Sequence, residues 1–493
     1  MSDIKHVAFL NPQGNFDKDD SYWTEHPDFG GQLVYVKEVS KAMAELGVKV
    51  DIVTRQINDP KWPEFSDLYD SYEGADNLRI IRLPFGGDKF LEKEKLWPHL
   101  KEYVDAVADF YDEEGVFPDF FTTHYGDGGL AGVLLKEKME TPFSFTGHSL
   151  GAQKMDKLNF SKDNYNELIE RFKFHSRIVA ERLAMKYCNQ IIVSTSQERY
   201  EQYSHPYYEG AAVVEDDKKF SVIPPGVNTT VFDGNYSQET AEKLANYLNR
   251  DLSAERTELP CVISASRLDQ KKNHISLVKA FAADKKLQEI ANLIITLRGI
   301  ENPFEDYSAA GGEEKEILAK IMKIIAENNL EGKVSMFPIS SQKELSECYA
   351  FLAEKESVFS LTSFYEPFGL APVEAMAAGL PAVVTKNGGQ KEIMEDDEYG
   401  ILIDPEDSAD IARGLKKILG KKDVWEKYQK KAIKRVESKY TWKQTAKRYI
   451  AAIEKGLEFK IPVDHSDIPS YFFLPDSDNE HKLLEKFNQN VLK

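Results

Sequence analysis

Residues 357–381 read SVFSLTSFYEPFGLAPVEAMAAGLP, and the order of residue types in this stretch decides the fold. A β-branched, apolar run ends in a Pro-Phe-Gly turn, and the alanine-rich APVEAMAAG after it reads as a tightly packed helix. Strand, glycine turn and helix N-terminus together make an anion site, because free backbone N–H groups and the helix dipole both favour negative charge. Two carboxylates, Glu366 and Glu374, stand eight residues apart around the turn. One carboxylate at the turn and a second about two helical turns along suit a polyhydroxy ligand that also carries phosphates. That combination points to a sugar nucleotide.

Outward from this stretch the same alternation recurs. The first half runs HVAFL, a long polar loop, a helix GGQLVYVKEVSKAMAELG ending at Gly47, then VDIVTR, LRIIRLPF, PDFFTTHYGD, helical GLAGVLLKEK, PFSFTGH, one long helix near 165–187, and IIVSTS. The second half repeats it with PCVISASR, HISLVKAFAADKK, NLIITLRG, EEKEILAKIMKIIAENN, VSMFP, QKELSECYAFLAE, SVFSLTS, PAVVTK and GILIDP. Strand-then-helix order implies parallel sheets covered on both faces. The expectation is α/β, with two Rossmann-like domains facing one another across a cleft. Pro224-Pro225 ends regular structure, which places an acceptor domain at 1–228 and a nucleotide-sugar domain at 229–444. The helical stretch 425–457 crosses back, so that about 445–493 completes the first domain, and the tail from Ile461 either docks on that domain or frays.

Composition narrows the class. A chain of 493 residues exceeds one ordinary core. Its formal charge of −19 argues against nucleic acid and anionic membranes as partners, since both call for a basic surface. Any bound phosphate then depends on a few local cations and backbone donors. Three scattered cysteines, Cys188, Cys261 and Cys348, show neither a disulfide framework nor zinc spacing. The opening MSDIKHVAFLNPQGN has no long apolar region and no run is long enough to span a bilayer, so a cytoplasmic protein is expected.

The candidate chemistry lies at strand ends. In SRLDQKKN (266–273) Arg267 and Lys272 precede a helix beginning near Asn273. A guanidinium fork and an ammonium point charge can together neutralise a diphosphate, although such residues are also commonly a solvated surface cluster. Gly30-Gly31 before the helix of GGQLVYV lets a ligand approach the backbone, and a plain tight turn would read the same way. Its distance from the first strand does not fit the dinucleotide G-x-G-x-x-G, which removes support for a nicotinamide or flavin. HSLGAQK (148–154) offers His148, Ser149 and Lys154 beside Gly147 and Gly151. Tyr125 and Asp127 in THYGDGG end another strand. Lys93 and Arg177 are further cations, with the wet face of an amphipathic helix as the plainer reading. NGGQKEI (387–393) is one more glycine turn into a helix.

Together these motifs resemble the retaining GT-B glycosyltransferases of the family that contains sucrose synthases and sucrose-phosphate synthases. The resemblance runs from GGQLVYV through SRLDQKKN and EPFGLAPVEA to the following NGG, and HSLGAQK and SRLDQKKN are similar to the sucrose-phosphate synthase branch. It implies a GT-B architecture and transfer of glucose from UDP-glucose to fructose 6-phosphate. Arg267 and Lys272 would then stabilise departing UDP, and Glu374 would bind ribose. Glu366 with the Phe368-Gly369-Leu370 backbone would hold the donor sugar, His148 would touch glucose, and Gly31 would meet the phosphate. Gly30, Gln32, Lys93, Tyr125, Ser149, Lys154 and Arg177 would form the acceptor pocket. Relatives carry further basic residues beside Arg177, where this chain has Ser176, so its phosphate grip would differ. The resemblance also implies front-face attack. No cofactor or metal is required, since fixed cations can do a metal's electrostatic work, while Mg2+ could still stimulate. A D-x-D-x-[TV] phosphatase signature is not seen, so a separate sucrose-phosphate phosphatase is the expected partner. Sucrose synthase, mannosylfructose-phosphate synthase and a non-catalytic sugar-nucleotide binder remain the competing readings.

Overall fold

The structure is a computed structural model that describes residues 4–23, 26, 29–161 and 163–473; the end of the expected tail, 474–493, lies outside the described residues. The chain divides into two compact units, Met1–Ile223 with Thr445–Lys493, and Pro224–Gln444.

The strands of unit 1 are β1 (His6–Leu10), β2 (Lys49–Arg55), β3 (Tyr69–Asp70), β4 (Leu78–Leu83), β5 (Phe120–His124), β6 (Phe143–Thr146), β7 (Gln190–Val193) and β8 (Phe220–Val222). They form one sheet in the order β3-β4-β2-β1-β5-β6-β7-β8. Pairing is parallel throughout, with Phe9 opposite Ile52 on one side and Thr122 on the other, except that β3 lies antiparallel on the β4 edge. Every residue of β1, β5, β6 and β7 is buried, as a sheet covered by helices on both faces demands. The helix Gly31–Glu45 buries Leu33, Val36, Val39, Ala42 and Met43, a stripe at helical spacing.

Unit 2 holds β9 (Cys261–Ser264), β10 (Asn292–Leu297), β11 (Val334–Pro338), β12 (Val358–Leu361), β13 (Ala382–Thr385) and β14 (Ile401–Ile403). Their order, β11-β10-β9-β12-β13-β14, is the doubly wound Rossmann arrangement, with the order reversing between β9 and β12. Alternate residues feed two cores: Val262, Leu293 and Ile295 join one, and Cys261, Ile263 and Ile294 the other, following the two-residue period of a strand.

Several boundaries depart from the sequence expectations, each for a local reason. The first helix ends at Glu45 rather than Gly47, because Gly47 takes the left-handed region with φ 89°. The single helix expected near 165–187 is two, Tyr165–Phe172 and Phe174–Tyr187, broken where Lys173 adopts φ 51°. Likewise 425–457 is split into Lys422–Lys439 and Trp442–Leu457. At that break Val227 N donates to Tyr440 O at 2.7 Å. A Cβ on Gly226 would lie 2.2 Å from Trp442 N, so only glycine allows the two segments this close.

The helix Trp442–Leu457 brings the chain into unit 1. There Tyr449 is fully buried, its ring 6.2 Å from that of Phe9 and its hydroxyl 3.3 Å from Thr146 Oγ1. Asn189 Nδ2 donates to Gly456 O at 3.0 Å and Phe459 O at 2.8 Å. Of the two fates open to the tail, docking is the observed one as far as Phe473: Ile461, Val463, Ile468, Phe472 and Phe473 pack on the core of unit 1.

Candidate functional site

In unit 2 the two loops at the strand-order reversal are tied to each other. The loop after β9 makes a 3-10 turn over Gln270–Lys272 before its helix starts at His274, one residue past the sequence expectation. Between them Asn273 sits at φ 55°, buried at 6% exposure. Its Nδ2 donates to Thr362 O at 3.1 Å and Pro405 O at 2.9 Å, and its own carbonyl accepts from Thr362 Oγ1 at 3.0 Å. Phe364 N donates to Lys271 O at 3.0 Å. This lacing sets Lys272 against the loop after β12, where its Nζ lies 2.6 Å from Glu366 Oε2. The cation and carboxylate that the sequence assigned to separate tasks are thus an ion pair. Arg267, by contrast, is 68% exposed, with Asp269 3.8 Å away.

Glu366 is held by its backbone. Its N–H donates to Asn387 O at 3.2 Å and its carbonyl accepts from Gly389 N at 3.0 Å. Gly388 (φ 102°) makes that approach possible, since a Cβ there would stand 2.0 Å from Glu366 O. Gln390 Nε2 donates to Phe368 O, so NGG and Phe368-Gly369 form one assembly, and the helix Leu370–Ala377 starts directly after it. Glu374 lies on that helix. Burial pushes its carboxyl up to about 7, against a hydrogen bond from Gln342, a residue the sequence analysis did not single out.

In unit 1 the strand ends gather the remaining candidates. Gly30 and Gly31 open the helix Gly31–Glu45, which has no side-chain cap. An added Cβ at either would meet nothing within 4 Å among the described residues, so packing does not require glycine there. Gln32 Nε2 donates to Asn11 Oδ1 at 3.3 Å, just past β1. His148 follows β6 at φ 54°. Its Nε2 is 2.8 Å from His124 Nδ1, and its ring packs against Tyr35 at 5.1 Å and Tyr125 at 6.0 Å. Burial drives the His148 pKa down to about 3. It is therefore a neutral hydrogen-bonding group at physiological pH.

Tyr125 and Asp127 do not end a strand as the sequence reading had it. The strand stops at His124, and both residues open the helix Tyr125–Met139. They line a pocket of about 340 Å³, open mouth included, with Gln13, Lys93, Glu94, Trp97, Phe172 and Arg177. Lys93 reaches it from a 3-10 turn, Lys93–Lys95, rather than from a helix face. Lys154 Nζ sits 3.8 Å from the ring centroid of Phe172. Burial first, then the charges of Arg177 and Lys93, pull its ammonium down to about 8.

Arg177 is the surprise among the cations. Far from a wet face, it is 8% exposed. Its Nε donates to Glu181 Oε1 at 3.0 Å and its Nη2 to Ser149 O, while Ser176 beside it is buried. Sequence reasoning missed Glu181. This fully buried carboxylate also accepts from Gly151 N at 3.0 Å and from the Tyr208 hydroxyl. Gly151 starts the helix that carries Lys154, so one carboxylate orients both cations. The available signal was Arg177 and Glu181 at i,i+4, the spacing of a helical ion pair.

Among the described residues no group of three or more His, Cys, Asp or Glu is placed to hold a metal ion, and no helix is long and apolar enough to cross a membrane. Two Rossmann-like units, one with an ion-paired Lys and Glu at its strand reversal and the other with a cation-lined pocket, are the parts of a hexosyltransferase of the GT-B fold. Residues 246–435 match the group 1 glycosyl transferases, and residues 1–250 match the first GT-B domain of sucrose synthase. Over 449 residues the chain is 48% identical to a probable sucrose-phosphate synthase of Thermosipho melanesiensis, covering 91% of this chain and 96% of that one. The chain belongs to the sucrose-phosphate synthase family of glycosyltransferases. A probable sucrose-phosphate synthase of Beta vulgaris is 31% identical over 86% of this chain, which spans 46% of that relative's length. The solved sucrose-phosphate synthase of Thermosynechococcus elongatus shares the fold, with a TM-score of 0.61 over 92% of this chain and 99% of that chain at 24% identity.

Proposed function

We propose that this protein transfers glucose from UDP-glucose to fructose 6-phosphate with retention, releasing sucrose 6-phosphate and UDP. The observation that carries the reading is the pocket of unit 1 lined by Lys93 and Arg177, with Lys154 packed against Phe172 of its wall. Burial, and after it the charges of Arg177 and Lys93, pulls the Lys154 ammonium down to about 8; this costs stability, and a phosphate on the acceptor would relieve that cost.

In unit 2 Lys272 and Arg267 serve the other phosphates. As the anomeric C–O bond breaks, negative charge grows on UDP, and preorganised cations lower the barrier because they need no reorganisation at that moment. Glu366, held by Gly388, Gly389 and Lys272, takes donor-sugar hydroxyls, with Gly31 and the Phe368-Gly369-Leu370 backbone near the donor. Glu374 takes the ribose. His148, being neutral, hydrogen-bonds the hexose and carries no charge to the reaction. The departing phosphate accepts the acceptor's proton. Gly30, Gln32, Tyr125 and Ser149 complete the acceptor side. Fixed cations make a metal unnecessary, a cytoplasmic location fits the reading, and the phosphorylated product calls for a separate phosphatase.

A donor-by-acceptor rate matrix tests this: UDP-, ADP- and GDP-linked sugars against fructose and fructose 6-phosphate. UDP-glucose with fructose 6-phosphate should dominate. Buried cations left without their anion should reject plain fructose strongly; equal rates for the two acceptors would defeat the reading.

A further inference from the structure

The pocket of unit 1 has a second kind of lining that the phosphate assignment leaves unused. Gln13 and Asp127 stand beside Lys93, Tyr125 and Arg177. Gln13 lies on the loop after β1 and Asp127 in the first turn of the helix that follows β5, the neighbouring strands at which this sheet's order reverses, which is where doubly wound sheets take their ligands. Asp127 is 5% exposed. Its Oδ1 accepts from Gln13 Nε2 at 3.2 Å and from Gly128 N at 2.9 Å. Its Oδ2 is buried in the pocket wall and has no hydrogen-bond partner among the described residues. An orphaned carboxylate oxygen in a buried wall destabilises a fold. Here burial drives the carboxyl pKa up to about 7, even against Gly128 N–H, Arg177 and Lys93. The first turn of the helix Tyr125–Met139 favours a carboxylate, but that dipole serves Oδ1 and Oδ2 alike and does not fill the empty position.

The two linings ask for different chemistry. Ammonium and guanidinium groups attract a phosphate, whereas a carboxylate repels one and accepts hydrogen bonds from hydroxyls. We propose that Asp127 is an acceptor-recognition residue, its Oδ2 accepting a hydrogen bond from a ring hydroxyl of the acceptor hexose while Lys93, Lys154 and Arg177 hold that hexose's phosphate. This rests on the phosphorylated-acceptor reading above. Gln13 is a positioning residue, fixing the plane of the carboxylate by donating to Oδ1. The pocket thereby reads a hexose phosphate from both ends.

The test is Asp127→Asn in the full chain. Kinetics are measured with UDP-glucose and with fructose 6-phosphate varied in turn, UDP affinity by calorimetry, and thermal melts at pH 8. kcat/KM for the acceptor should fall at least about tenfold, the usual loss for a hydrogen bond to a charged group. UDP affinity should not change, and the melting temperature should hold or rise, because the variant no longer buries an unpaired charge. With monodeoxy analogues of fructose 6-phosphate, removing the partner hydroxyl should cost wild type about tenfold and cost Asp127→Asn nothing further. An unchanged acceptor kcat/KM overturns the proposal. So does a loss that comes with weaker UDP binding and a lower melting temperature, since that marks a structural role. Should wild type prefer fructose to fructose 6-phosphate, the phosphate reading falls, and the Asp127 comparison is made with fructose under the same criteria.

Discussion

Lys272 and Glu366, 94 residues apart in sequence, meet at 2.6 Å. The pair joins the loop that follows β9 to the loop that follows β12, the two positions at which the sheet of unit 2 changes direction. A cation held by a carboxylate is oriented before any ligand arrives.

Replacing Lys272 by Met should therefore remove a preorganised donor from the leaving group. Turnover at saturating substrates should fall roughly a hundredfold or more, the loss of about 2.7–4 kcal/mol seen for a comparable oxyanion donor. Steady-state kcat checks it; a decline confined to KM would show that Lys272 only binds.

Asn273 makes a different prediction, because it acts on the loops rather than on substrate. Asn273→Ala leaves Thr362 O and Pro405 O without their amide donor and forces a left-handed angle on alanine. Denaturant titration should show a loss of about 2–4 kcal/mol. Asn273→Gly, which accepts that angle, should recover about 1 kcal/mol of it.

The acceptor pocket has its own pH signature. Lys154 titrates near 8 in the free protein, chiefly through burial and then through Arg177 and Lys93. The charge that would hold a phosphate is present below that value and lost above it. kcat/KM for fructose 6-phosphate should fall as pH rises through about 8. Lys154→Arg should move the fall to higher pH, since a guanidinium keeps its proton.

Glu374 predicts the opposite direction for the nucleotide. With a carboxyl raised to about 7, it is protonated in acid, so UDP affinity should weaken as pH falls through 7 and should be flat in Glu374→Gln. The linked effect on the unliganded fold runs the other way. A raised folded pKa means that stability from this group declines as pH rises from the ordinary glutamate value to about 7 and is level beyond it. Calorimetric binding and melts across that range separate the two.

What could be read in the sequence was local. The strand–turn–helix of 357–381 and the loop SRLDQKKN announce themselves because turn, cap and charge lie within a few residues. The expectation of two Rossmann-like domains followed from the recurrence of that unit, and the GT-B class from the family resemblance. What stayed hidden depends on distant partners. Arg177 is buried because Glu181 neutralises it and Gly151 N and Tyr208 share the same carboxylate, and only one of these partners lies within a helical turn. Asn273 looks like an ordinary residue before a helix until Thr362 and Pro405 arrive from elsewhere in the chain. The break at Lys173 also has no signal in propensity, as lysine is a good helix former; there Phe172 and Phe174 pack on the same core with their rings 5.5 Å apart. Tyr125, expected at a strand end, instead opens a helix, and the plainer helix-face reading of Lys93 gives way to a 3-10 turn at the pocket.

The return of the helix Trp442–Leu457 to the first unit bears on how the chain is made. Tyr449 fills a slot beside Phe9 and Thr146, residues that leave the ribosome hundreds of positions earlier. A growing polypeptide can finish its second unit while its first still waits for a last wedge. A product stopped short of Tyr449 would carry a complete second unit and a first one with that slot unfilled.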